Sequence, residues 1–166
     1  RGGKTRAQNE GVTLARGEIL VFSDANSMYA SDALKALLAP FADAQVGCVC
    51  GELQYANPDD GGAGKGEGAY WNYEQFLKSR ESQLSSALGA NGAIYALRRN
   101  LFVELGSEII SDFIMPICVW RQGYRVVYEP KAVASEYSAG SFRDECQRRR
   151  RIVSRSHPVD AVSLPP

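Results

Sequence analysis

The chain has 166 residues, 45% apolar and 23% charged, and its 19 basic side chains balance 19 acidic ones. That is one domain's worth of chain with material for a real core, and zero net charge argues against a nucleic-acid partner. No run approaches the roughly 18 apolar residues of a membrane span, and no signal peptide is visible. The chain opens on Arg1-Gly2-Gly3-Lys4 without an initiator Met and is expected to be a piece of a longer parent.

Taken in order, residues 5–16 read as a helix whose modest apolar face carries Ala7, Val12, Leu14 and Ala15, stopped by Gly17. A strand follows over 18–23, built on Ile19-Leu20-Val21-Phe22. Ser31-Asp32 starts a second helix with Leu34, Leu37, Leu38 and Phe41 at helical spacing. Residues 46–55 form a second strand. A loop rich in Gly and Asp runs from Asn57 to Gly68, and its Gly64-Lys65-Gly66 fails the phosphate-loop pattern. Tyr70 to Leu88 is a long aromatic-rich helix, broken by Gly89-Ala90-Asn91-Gly92. Ala93 to Leu97 is a strand. A helix over 113–121 ends at Gly123, Tyr124 to Tyr128 is a strand closed by Glu129-Pro130, and Ala132 to Ser135 is extended. Phe142 to about Arg155 is a basic helix, and a tail follows from His157. Strands alternating with helices predict an α/β fold with a mostly parallel sheet.

Cys48-x-Cys50 lies in the apolar run Val46 to Cys50, and with Cys118 and Cys146 it reads as buried, reduced thiols rather than a zinc site. The single histidine, His157, supports no Ser-His or Cys-His mechanism.

Three places carry chemistry. Asp24 sits at the C-terminal end of the first strand with Asn26 two residues on, and hard oxygen donors on one tight turn suit a divalent cation holding substrate phosphates. The bland reading is an N-cap. Asp112 follows Ile109-Ile110 and heads a helix, as an N-cap or as a general base. Gln147 to Arg151 holds four consecutive arginines, either a solvated basic face or a guanidinium fork on a diphosphate. Together they suit glycosyl transfer from a nucleoside diphosphate, where a metal and Arg stabilise the leaving phosphate and a carboxylate takes the acceptor's proton. Lys4, beside Gly2-Gly3, is a further phosphate contact or an exposed lysine near the chain's start.

Five segments in order carry a resemblance: Gly3-Lys4-Thr5-Arg6-Ala7-Gln8-Asn9, Val21-Phe22-Ser23-Asp24-Ala25-Asn26, Gly89-Ala90-Asn91-Gly92-Ala93-Ile94-Tyr95, Ile110-Ser111-Asp112-Phe113 and Gln147-Arg148-Arg149-Arg150-Arg151. Over residues 2–152 the chain resembles the family 2 glycosyltransferases of the processive, membrane-associated type, similar to hyaluronan, cellulose and poly-N-acetylglucosamine synthases. The segments fall where that family has G-K-x-x-A-x-N, D-x-D, an acceptor-side glycine turn, T/S-E-D and Q-x-x-R-W. Asn26, Ser111 and Arg151 replace the second Asp, the Glu and the Trp.

The resemblance implies a partial GT-A domain over residues 1–156 that lacks the first nucleotide-binding strands, with 157–166 as a tail. It implies an inverting enzyme of polysaccharide biosynthesis that uses a UDP-sugar donor, a saccharide acceptor and Mg²⁺ or Mn²⁺. Asp24 and Asn26 would hold the metal and diphosphate, and Asp112 would be the base. Lys4, Asn91, Gly92, Gln147, Arg148, Arg150 and Arg151 would bind substrate. The parent is expected at the inner, cytoplasmic face of the plasma membrane. Two alternatives stay open: a related nucleotidyl- or phosphosugar-handling enzyme, and a non-catalytic α/β domain that binds carbohydrate or a partner.

Overall fold

The computed structural model describes residues 3–56, 80, 82, 86, 90, 92–107 and 109–137. The predicted loop 57–68, the basic helix from Phe142, the tail and Cys146 lie outside these residues, as does most of the predicted helix 70–88. Helix α1 spans Gly3–Leu14, followed by strands β1 (Ile19–Phe22) and β2 (Met28–Tyr29) and helix α2 (Ala33–Leu38). A 3₁₀ turn at Ala39–Ala42 leads to β3 (Val46–Tyr55). Then come β4 (Tyr95–Arg98), helix α3 (Ser111–Arg121) and β5 (Arg125–Glu136).

Among the described residues, five strands form one sheet in the order β1-β4-β3-β5-β2. The α/β class is as the sequence predicts, but the expected mostly parallel pairing is corrected. Only β3 and β5 run parallel, whereas β1–β4, β3–β4 and β2–β5 are antiparallel. The reason lies in where β4 begins. Phe22 at the end of β1 faces Tyr95 at the start of β4, so the chain enters β4 from the rim that β1 delivers Asp24 to and must run back.

Both faces of the sheet are covered. On one, Ile114, Met115, Cys118 and Val119 of α3 pack on Leu20, Phe22, Cys48, Cys50, Tyr95 and Val126. On the other, Ala33 and Leu37 of α2 meet Val49, Leu53, Ile94, Ala96, Ala132 and Ala134. The alternation that sends Cys48 and Cys50 to one face sends Val49 to the other. Both cysteines and Cys118 are buried free thiols. A hydrogen bond with Cys50, together with burial, holds the Cys48 thiol well above the usual range. It is a packing group and not a nucleophile.

Helix α1 departs from its predicted apolar face. Val12 and Ala15 lean on the core, but Leu14 is 81% exposed. Polar side chains attach α1 instead. Thr5 Oγ1 donates to the Ile109 carbonyl at 2.7 Å, and Asn9 Nδ2 donates to the Leu105 carbonyl at 2.8 Å. Gln8 accepts a hydrogen bond from the Ser111 hydroxyl.

Strand β5 is one element where the sequence suggested two, with its pairing to β3 interrupted between Tyr128 and Val133 around Pro130, which has no N–H to donate. Since β2 reaches only Ala134 and Ser135, the first part of β5 finds other partners. The Val126 and Tyr128 amides donate to the hydroxyls of Ser86 and Ser82.

The two irregularities in β3 fall at Gly47 and Gly51. A Cβ on Gly47 would stand 2.6 Å from Val119 Cγ1 and Tyr124 Cβ, and one on Gly51 would strike the Ala132 carbonyl oxygen. Overpacking of this kind costs about 1–3 kcal/mol. Gly51→Ala should therefore lower the unfolding free energy by that amount, read as a fall in the urea midpoint at unchanged slope, since its obstacle is backbone and cannot rotate away. A midpoint equal to that of the wild type would refute the close approach.

Candidate active site

The polar groups gather at the rim where β1 ends. Beyond Phe22 the chain turns at once: the Ser27 amide donates to the Asp24 carbonyl at 3.2 Å, and Ser23 Oγ donates to the same oxygen at 3.0 Å. No helix starts there, so Asp24 is not an N-cap. The turn is anchored from below by Glu136, the last residue of β5, which is 3% exposed and accepts from Ser27 Oγ at 2.5 Å. Asp24 thus stands half-buried at the sheet edge, with Asn26 exposed on the same turn.

Asp112 arrives from the opposite direction, in the first turn of α3. The residue preceding that helix is Ile110, and no side chain caps it. Asp112 therefore does not cap α3 either, and its carboxylate is free to face the rim. Its carbonyl accepts from the Ala90 amide at 3.0 Å, which ties the turn before β4 to this helix.

Lys4 joins the two carboxylates. Its Nζ lies 2.6 Å from Asp24 Oδ1 and 3.5 Å from Asp112 Oδ2. Thr5, Gln8 and Asn9 fix α1 against residues 105–111, and Lys4 stands one residue before Thr5 at that helix's start. Desolvation pulls the Lys4 ammonium down, but the charge of Asp112 and the hydrogen bond and charge of Asp24 outweigh it. Its pKa lies above the ordinary 10.5.

Gly92 is buried between them. A Cβ there would strike Asp112 Oδ2 and stand 2.7 Å from Lys4 Nζ and 3.0 Å from Asp24 Oδ2. Only a glycine lets the backbone come this near the carboxylates. Tyr95, three residues on, stacks on Phe22 at 4.8 Å. Its buried hydroxyl lacks a well-formed hydrogen bond among the described residues. Burial, and after it the charge of Asp112, raises its pKa, so it stays a protonated phenol.

Of the residues singled out from sequence, Lys4, Asp24, Gly92 and Asp112 converge, and Asn26 shares the Asp24 turn. Asn91, Gln147, Arg148, Arg150 and Arg151 lie outside the described residues. Sequence reasoning missed Glu136, which had no signal beyond ending a strand. It also missed the roles of Thr5, Gln8 and Asn9, although their spacing along one helix face was a signal available to it. Among the described residues no group of three or more His, Cys, Asp or Glu could hold a metal by itself.

The geometry is that of a charged cluster at the rim of an α/β sheet. The sequence profile described as glycosyl transferase family 2 matches residues 1–106. The chain belongs to that family. No curated protein matches the chain significantly. Among solved structures, the chain is similar to the mannosyltransferase PcManGT from Pyrobaculum calidifontis, in complex with GDP-Man and Mn²⁺. The TM-score is 0.76 at 24% identity, covering 100% of this chain and 46% of that one. It is similar to GalNAc-T7 with UDP, GalNAc and Mn²⁺, at TM-score 0.60 and 20% identity, covering 83% of this chain and 31% of that one. Glucosyl-3-phosphoglycerate synthase from Mycobacterium tuberculosis, with Mn²⁺, UDP-Glc and phosphoglyceric acid, gives TM-score 0.58 and 18% identity, covering 99% of this chain and 59% of that one. The chain thus spans only about a third to three fifths of these proteins' lengths. The fold they share with it is the GT-A fold.

The sign of the Lys4 shift can be tested by NMR on its 13Cε in metal-free protein. The ammonium should titrate above 10.5 in the wild type and below it in the Asp24→Asn, Asp112→Asn double variant, where desolvation alone remains. Equal values in both would remove the carboxylates as its partners.

Proposed function

We propose that the protein transfers a sugar from a nucleoside diphosphate sugar to a hydroxyl of a saccharide acceptor, with inversion, using Asp112 as general base. The observation that supports this most is the convergence of Asp24 and Asp112 on Lys4, from a strand end and a helix far apart in sequence. In this reading the acceptor oxygen attacks the anomeric carbon as its proton passes to the Asp112 carboxylate. The bond from that carbon to the diphosphate breaks on the opposite face, and the leaving group carries the electron pair away.

Lys4 serves as a cation for that leaving group, Arg148, Arg150 and Arg151 add guanidinium forks, and Gln147 adds an amide contact. Gly92 and Asn91 shape the acceptor side. A divalent ion fits the donor set, because Asp24 and Asn26 offer hard oxygens and Mg²⁺ or Mn²⁺ takes one or two carboxylates with the rest from phosphates and water. When bound, it neutralises charge developing on the diphosphate. The rim beside Asp24 already holds a cation, the Lys4 ammonium. Structural neighbours solved with Mn²⁺ and GDP-Man or UDP-Glc support the same class of donor.

The choice of UDP, the part in polysaccharide synthesis and the place at the inner face of the plasma membrane rest on the motif resemblance. No described helix is long and apolar enough to cross a membrane.

A panel of UDP- and GDP-sugars with Mn²⁺, read by nucleotide release, tests the reading. Asp112→Asn should lower kcat by about a hundred- to ten-thousand-fold with the circular dichroism unchanged. Near-wild-type turnover would remove Asp112 as the base. Gly92→Ala should lower turnover with it, by displacing the Asp112 carboxylate from its place beside the glycine. An active Gly92→Ala variant would show that the close approach is not needed.

A further inference from the structure

Helix α3 carries a proline at its sixth position, Pro116, fully buried and well inside the helix. A proline there is among the most unfavourable placements available to a helix, because it removes one rung of the hydrogen-bond ladder. The rung can be identified. In an α-helix the N–H of each residue bonds the carbonyl four residues before it, so residue 116 would bond Asp112. Pro116 has no N–H, and the Asp112 carbonyl instead accepts from the Ala90 amide at 3.0 Å. Two residues beyond Ala90 lies Gly92, packed against the side chain of that same aspartate.

We propose that Pro116 is a positioning residue. By withholding an N–H it reserves the Asp112 carbonyl for the Ala90 amide, and so locks the turn before β4 to the base-bearing helix. Asp112 then holds that turn twice, through its backbone oxygen to Ala90 and through its carboxylate against Gly92. The turn and the carboxylate take up their positions as one unit. The lock follows from the backbone. Its importance for turnover rests on reading Asp112 as the general base.

The test restores the missing donor. Pro116→Val supplies an N–H while keeping buried bulk, and Pro116→Ala supplies one with a strong helix former, so a packing fault in either leaves the other to decide. Amide hydrogen exchange should show Ala90 losing protection by about tenfold, the size of one hydrogen bond. The Gly51 amide, bonded to the Ile94 carbonyl in the sheet, should keep its protection. Melting temperature should stay level or rise, while kcat falls and donor KM holds. A residue of merely structural value would lose stability and activity together. Unchanged Ala90 exchange and kcat in a folded variant would overturn the proposal. A wild type that turns over no UDP- or GDP-sugar would count against the glycosyltransferase reading instead, and the exchange result would still decide the lock.

Discussion

The site depends on a lysine between two carboxylates. Two like charges a few ångströms apart repel by a few kcal/mol at an effective dielectric of about 20, and a cation between Asp24 and Asp112 offsets that repulsion. Lys4 supplies it at 2.6 and 3.5 Å. The same requirement explains why α1 is attached as it is. An apolar seam would hold the helix but leave it free to slide. The bonds from Thr5, Asn9 and Gln8 to Ile109, Leu105 and Ser111 fix its position along its axis. The lysine at its start is thereby set in height against both acids.

The second constraint is steric. Gly92, buried among Asp24, Asp112 and Lys4, brings backbone where any side chain would collide with a charged group. Because that glycine stands at the rim, the strand after it runs away from the rim, antiparallel to β1 and β3. The mixed sheet is thus a consequence of the site. A purely parallel arrangement would have carried the start of β4, and the turn with it, to the other end of the molecule.

Beneath the rim the core acts mainly as a rigid frame. Small residues such as Gly47, Gly51, Ala96, Ala132 and Ala134 let strands and helices come close, and the stacked Phe22 and Tyr95 set the ends of β1 and β4 against each other. Glu136 shows how far the frame reaches. It closes β5, the last described strand in chain order, yet it holds the Asp24 turn through Ser27. An ionisable residue 3% exposed is costly to bury unless hydrogen-bonded, and here the bond stabilises the turn that carries the first acid.

Much was legible from the residues alone. Val46–Tyr55 forms the strand its apolar run predicted, Asp24 follows the first strand, and Asp112 heads a helix, because hydrophobic period and turn residues are local properties of the chain. The motif order led to the right family for the same reason, since each motif is short and contiguous. Strand direction, the union of two predicted strands in β5 and the polar attachment of α1 were not legible. Each depends on partners distant in sequence, as Thr5 and Ile109 or Ser27 and Glu136 are. Sequence named the acids, the lysine and the glycine. Only the tertiary structure decided that they meet, because no local pattern records which rim of a sheet a returning chain enters.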